Sequence, residues 1–195
     1  MLIEIAGKIV SNPRIYDLVQ RIFGRDRMYR HIAPLFTDAS GKTVLDVGGG
    51  TGELTRIIPA SATYLWLDND ARKLLGLRNK FCGIRAFLGN ADQIALRDKS
   101  VDIGVCIAVS HHLTDTELSN TFRELARVCR LKLIFLDPIR DEASGFRKLL
   151  WRYDRGSFPR STEELRSQVQ RHFKIEFEEH YSIYHRYWLC TASPR

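Results

Sequence analysis

Long apolar runs are missing from this sequence. The longest lie around Ile103–Val109 and Leu133–Leu136, well short of the roughly 20 consecutive apolar residues that a membrane-spanning helix needs. Residues 1–14 also lack the charged, apolar, small order of a secretion signal, because Glu4 and Lys8 interrupt the apolar stretch. A cytoplasmic protein is expected. Cysteine is sparse: Cys82, Cys106, Cys129 and Cys190 are scattered, with no C-x-x-C pair. That argues against a disulfide framework and against a metal site, so no metal is expected. Cys106 and Cys190 sit in apolar runs and read as small buried hydrophobes. No block of like charges is present, so the net charge of +7 does not mark a nucleic-acid-binding tail. Internal repeats and low-complexity segments are absent as well.

What remains is an ordinary globular composition, 44% hydrophobic over 195 residues, suited to one α/β domain with its own core. Asn12-Pro13 reads as a helix start, followed by an apolar face at Ile15, Leu18, Val19, Ile22 and Phe23 that Gly24 ends. A second helical stretch runs from Arg27 to Phe36. Strands are then expected at Thr43–Val47, Tyr64–Leu67, Arg85–Leu88, Val101–Val109 and Leu131–Leu136, with helices from about Glu53 and over Glu117–Arg130. This alternation predicts a mostly parallel sheet covered on both faces. Ser161-Thr162-Glu163-Glu164 is a capping box opening a helix to about His172. Phe173–Glu178 and Arg186–Thr191 are expected as a final antiparallel pair. The whole chain, 1–195, reads as one domain: a helical lid over 1–36, a ligand-binding core over 40–138, an insert over 139–172 and the last two strands over 173–195.

The informative segment is Val44-Leu45-Asp46-Val47-Gly48-Gly49-Gly50-Thr51-Gly52: an apolar strand, then glycines, then a helix start. Such a bend lets a ligand touch the main chain, and a helix N-terminus adds free N–H groups. The glycine spacing is Gly48-x-Gly50-x-Gly52 rather than G-x-G-x-x-G, and Glu53 stands where a phosphate-cradling loop requires lysine. Asp46 would repel a pyrophosphate, at a cost on the order of 1 kcal/mol or more in a partly dry site. It would attract the ammonium of a bound amino acid instead. S-adenosylmethionine carries that ammonium, a sulfonium and no phosphate. Asp68, 20 residues after Gly48, is placed to accept hydrogen bonds from ribose hydroxyls, or else caps the helix after Asp68-Asn69-Asp70.

These residues resemble the first motif of the class I S-adenosylmethionine-dependent methyltransferases. Gly89-Asn90-Ala91-Asp92, running on through Asp98-Lys99-Ser100-Val101-Asp102, is similar to a later segment of that family. Val109-Ser110-His111-His112-Leu113-Thr114-Asp115 is similar to its motif after strand four. The subgroup resembled is that of ubiquinone and menaquinone biosynthesis and related small-molecule enzymes, over residues 40 to 138. The resemblance implies a Rossmann-like seven-stranded sheet with the last strand antiparallel and a helical lid. It also implies cofactor contacts from Asp46, Gly48, Gly49, Gly50, Gly52, Asp68, Asn69, Asn90, Ala91 and Val109. The sequence departs from the family at Asn90, where an aspartate would meet the adenine amino group, and at Ala95. A third departure is the stretch Cys129-Arg130-Leu131-Lys132, which lacks the usual Pro-Gly-Gly turn.

Methyl transfer from a sulfonium chiefly needs the acceptor positioned and water excluded. A general base helps where the acceptor is a hydroxyl or an acidic carbon. His111 and His112, at the end of strand four, are the candidate bases, with His112 preferred; both alternatively shape the pocket. Asp137 either faces the acceptor or caps the Pro138 turn. In the aromatic and basic stretch from Arg140 to Arg160, Trp151 and Tyr153 suit a ring or lipid tail and Arg155 or Arg160 an acidic group. Tyr16 and Arg14 of the lid are within the same expectation. With six basic residues against three acidic in residues 1–36, the lid either packs on the core or rests on an anionic membrane. The expected partner is a small-molecule acceptor. A nucleic-acid methyltransferase is the main alternative, but the Asn/Asp-Pro-Pro-Tyr-type signature that accompanies base extrusion is replaced by Val109-Ser110-His111-His112. A non-catalytic S-adenosylmethionine-binding module is the other.

Overall fold

The computed structural model describes residues 25–140, 158–183 and 185–195. A helix α1 (Arg25–Ile32) runs into a 3-10 turn (Ala33–Phe36), the break falling at Pro34. Then follow β1 (Thr43–Val47), a 3-10 turn (Glu53–Arg56), β2 (Thr63–Asp68), α2 (Ala71–Lys80), β3 (Arg85–Leu88) and β4 (Val101–Ile107). A 3-10 turn (Ser110–His112), α3 (Asp115–Val128), β5 (Cys129–Pro138), α4 (Thr162–Gln170), β6 (Phe173–Ser182) and β7 (Arg186–Pro194) complete the order. One sheet of seven strands results, ordered β3-β2-β1-β4-β5-β7-β6. The first five are parallel, and β7 is antiparallel to both β5 and β6.

The central strands are near-continuous apolar runs because both of their faces are covered. Their residues alternate between two cores. On one face Leu45, Val47, Leu133 and Phe135 meet Leu118, Phe122, Leu125 and Val128 of α3 and Leu165 and Val169 of α4. On the other, Val44, Ile103, Val105, Ile134 and Leu136 meet Ile32 of α1 and Phe36 and Leu54 of the short turns. Asp46 belongs by parity to this second face. Capping boxes start α3, where Thr114 and Glu117 exchange bonds, and α4, where Ser161 and Glu164 do the same.

Several expectations change. The helix expected from Glu53 is a single 3-10 turn, since Pro59 follows within a few residues and biases Ile58 away from helix. A four-residue turn adds little dipole to the glycine bend. Strand β4 ends at Ile107 rather than Val109, because Ala108 adopts φ 54° and turns the chain out of the sheet. The helix expected to Arg130 stops at Val128, and β5 begins at once at Cys129. The helix at Asn12-Pro13, residues 1–24 of the lid expected over 1–36, with Arg14 and Tyr16, and Trp151, Tyr153 and Arg155 lie outside the described residues. No described helix is long and apolar enough to cross a membrane.

Candidate functional site

The carboxyl ends of β1, β2, β3 and β4 converge on the glycine bend. The N–H groups of Gly48 and Gly49 both donate to the Leu67 carbonyl, at 2.8 and 3.0 Å, which pins the bend against β2. Trp66, fully buried, donates from Nε1 to the Gly50 carbonyl at 3.2 Å. A Cβ at Gly49 would lie 2.4 Å from the Trp66 ring, and one at Gly48 2.4 Å from Val109. Side chains therefore crowd the bend from two sides. Gly50 is different: its φ is 53°, and a Cβ there would approach nothing closer than 3.8 Å. One side of the bend is therefore open.

Asp46 is 5% exposed, and its Oδ2 accepts the Tyr64 hydroxyl at 2.6 Å. Among the described residues no cation pairs with it. Desolvation pushes its carboxyl up to about 7, the Tyr64 bond opposing and the charge of Asp68 adding to the rise. Burial and the neighbouring carboxylate likewise raise the Tyr64 phenol. A buried acid with a donor on one oxygen and no counter-charge among the described residues is what an ammonium would complete.

Asp68, at the end of β2, is 4% exposed. Its Oδ2 accepts Gly50 N–H at 3.0 Å and its Oδ1 accepts Asp70 N–H at 3.0 Å. The Lys73 ammonium donates to both oxygens, at 3.3 and 3.1 Å. Capping of α2 falls to Asp70, which accepts Arg72 N–H at 2.9 Å. Asn69 donates to the Asn90 side-chain oxygen at 3.5 Å across the ends of β2 and β3, both side chains being exposed. Ala91 follows, partly buried against the core. The segment beyond is held from α3: Arg127 donates to the Ile94 and Leu96 carbonyls, both at 2.8 Å, and Glu124 accepts Ile94 N–H at 2.9 Å.

The turn after β4 is built around Asp137. That carboxylate is fully buried and accepts Val109 N–H at 3.0 Å, Ser110 N–H at 2.7 Å and His111 Nδ1 at 2.6 Å. These bonds hold Val109 over Gly48 despite the left-handed residue Ala108. Asp137 thus secures the turn. The reading of it as an acceptor-facing group is corrected, because both oxygens are committed to the protein. Arg160 is corrected for the same reason. Its guanidinium, 6% exposed, donates to the Ser110 and Leu113 carbonyls at 2.7 Å each and to Asp115 at 2.8 and 3.0 Å. His111 is 4% exposed, whereas His112 is exposed and packs on the His111 ring at 4.1 Å.

The structure therefore brings Asp46, Gly48, Gly49, Gly50, Asp68, Asn69, Asn90 and Val109 around one bend, with Ala91 and the histidine pair at neighbouring strand ends. Gly52 lies beneath it, where a Cβ would strike Leu77 of α2 at 2.2 Å. Gly52 thus packs the helix rather than opening toward a ligand. Tyr64, Lys73, Trp66 and the Asp137–Arg160 network were missed from sequence. Tyr64 alone had a signal: it shares strand parity with Trp66, which stands opposite Asp46 in the β1–β2 register.

Comparison with known proteins agrees with this geometry. Residues 44–132 match the family model described as a methyltransferase domain. The chain is similar to an uncharacterized methyltransferase of Geobacillus sp. (strain WCH70), 26% identical over 85% of this chain and 76% of that one. A phthiotriol/phenolphthiotriol dimycocerosates methyltransferase of Mycobacterium ulcerans (strain Agy99) is 33% identical over 51% of this chain and 38% of its own. The chain thus spans well under half of that mycobacterial relative. Among solved structures, magnesium protoporphyrin IX methyltransferase from Synechocystis PCC 6803 with bound SAH superposes with a TM-score of 0.75. That pair shares 16% identity and covers 91% of this chain and 87% of the other. Residues 44–132 thus resemble a methyltransferase domain, set in a fold shared with solved methyltransferases.

Proposed function

We propose that this protein transfers the methyl group of S-adenosylmethionine to oxygen or carbon of a small organic acceptor. The observation that carries the cofactor half is Asp46, a desolvated carboxylate with no cation beside it among the described residues, next to a glycine bend that is open on one side. The residues fit the cofactor. Asp46 would hold its ammonium, Asp68 its ribose hydroxyls, Asn90 and Ala91 its adenine, and the open backbone of Gly50 the chain between them. When bound, the cofactor supplies an electrophilic methyl on a sulfonium. The protein's share is to orient, to exclude water and to place a base.

The acceptor half rests on the turn after β4. Asp137 accepts from His111 Nδ1–H, which fixes that ring beneath His112. His112 is the solvent-facing member of the pair and the one positioned to take a proton from an acceptor. His111 and Asp137 position it. The resemblance to quinone-biosynthesis enzymes supplies the working acceptor class, a ring hydroxyl or activated ring carbon, for which such a base is useful. A contact of the N-terminal segment with membrane remains part of this reading for an apolar acceptor. Incubation with cofactor carrying a deuterated methyl group, followed by mass spectrometry of separated small-molecule and RNA fractions of a cell extract, tests it. Label in a small molecule is expected. Label confined to RNA would move the assignment to the nucleic-acid alternative.

A further inference from the structure

We infer that Lys73 competes with the cofactor ribose for Asp68, so that cofactor binding has to displace an internal counter-ion. The inference rests on the reading of Asp68 as the ribose-binding carboxylate.

A carboxylate offers about four lone-pair directions, two per oxygen. In Asp68 one direction on Oδ2 is taken by Gly50 N–H and one on Oδ1 by Asp70 N–H, both at 3.0 Å. These are backbone bonds that build the bend and the start of α2. The remaining directions, the ones a pair of ribose hydroxyls would use, are bridged by the Lys73 ammonium at 3.1 and 3.3 Å. The Asp68 side chain is 3% exposed and that of Lys73 is 45% exposed. Lys73 therefore covers Asp68 from the solvent side.

The arrangement is easily reversed. Lysine carries its charge on a flexible four-carbon stem and is readily rehydrated. Lys73 also borders a cleft of about 400 Å³ lined by Thr51, Glu53, Gly76 and Lys80. Glu53 in that cleft already pairs with Arg56 and Lys80 and gives a displaced ammonium a second carboxylate. Without ligand, Lys73 neutralises a buried charge close to the buried Asp46, which limits repulsion between the two acids. With ligand, hydroxyl donors replace it on Asp68, and the cationic amino acid end of the cofactor takes over the charge balance at Asp46. The ion pair thus stabilises the empty protein and weakens the complex.

The test compares wild type with Lys73→Met and Lys73→Gln, using adenosine and 2′,3′-dideoxyadenosine as competitors of S-adenosylhomocysteine in calorimetry. Adenosine lacks the ammonium, so the Asp46 half of the site does not enter. Both variants are expected to bind adenosine about tenfold tighter than wild type does. They are expected to bind the dideoxy compound as wild type does, and to melt at lower temperature without ligand. Equal gains for the two nucleosides, or weaker adenosine binding in both variants, would overturn the competition. Asp68→Asn separates the two levels. If it leaves adenosine affinity unchanged, the ribose role of Asp68 falls and the competition with it. If Asp68→Asn weakens adenosine while the lysine variants match wild type, only the competition falls.

Discussion

Asp46 is a carboxylate taken out of water and given a phenol but, among the described residues, no cation, and its protonation follows from that. With its carboxyl raised to about 7 in the folded chain against an ordinary 3.8, the folded state holds a proton that the unfolded state releases. Its contribution to stability is therefore present at low pH and is lost as pH rises from about 4 through 7. Asp46→Asn, which still accepts from Tyr64, should be the more stable protein at pH 8, by on the order of 2–4 kcal/mol. That advantage should shrink toward pH 5, as urea denaturation would read. The same variant should lose cofactor binding. His112→Ala should bind cofactor as wild type does yet turn over about 10²–10⁴-fold more slowly, provided the acceptor must lose a proton. Unchanged turnover would remove the base from the mechanism. At Gly48 the obstacle is steric and conformational together, since φ is 70° and Val109 occupies the position of a Cβ. Gly48→Ala should weaken cofactor binding by displacing Val109. The carboxylates and glycines of this site were legible because their chemistry is local to one strand end. Tyr64 and Lys73 were not, because what they do depends on which strand lies beside β1 and which way α2 leaves β2.

At the level of elements, the turn after β4 is a short irregular segment held from outside. Asp137 reaches it from β5, and Arg160 from just before α4, 45 residues beyond Asp115 in the chain. Arg160→Met would leave the Ser110 and Leu113 carbonyls without those donors. A loss of about 1–3 kcal/mol is expected for such buried groups, together with slower turnover through the histidine pair. Denaturation midpoints and a rate measurement check it, and an unchanged midpoint would mean the turn holds itself. Sequence periodicity located this region's strands but not its ends. β1 and β3 are bounded by turn residues and were read at Thr43–Val47 and Arg85–Leu88, as found. β5 runs on through Asp137 and Pro138, residues that end strands locally, because β7 pairs them with Trp188 and Tyr187. Pairing of that range leaves no mark in a short window of sequence. The helix expected after Gly52 failed for the converse reason: its apolar spacing is right, but the run to Pro59 is too short for α-helix.

For the molecule as a whole, the order β3-β2-β1-β4-β5-β7-β6 sets the polarity of the site. It puts the reversal of strand order between β1 and β4, where Val109 of the β4 turn packs over Gly48 of the glycine bend at the carboxyl ends. Alternation of helix and strand was enough to foresee the parallel sheet, while its antiparallel end came from the family resemblance and the hairpin-like last pair. The convergence of Asp46, Asp68 and Val109 follows from that topology rather than from any single motif. A ligand that bridges these strand ends should stabilise the entire fold, by about 2.7 kcal/mol at a hundredfold excess over its dissociation constant. The most direct measurement is calorimetric titration of S-adenosylmethionine into the protein from pH 6 to pH 8.5. Binding at one site per chain is predicted, several-fold weaker at pH 6 than at pH 7.5 because Asp46 must release its proton. It should weaken again above about 8, where the ligand's own amino group loses its charge. No saturable heat at millimolar ligand, or an affinity indifferent to pH across this range, would contradict the pairing of Asp46 with the cofactor's ammonium.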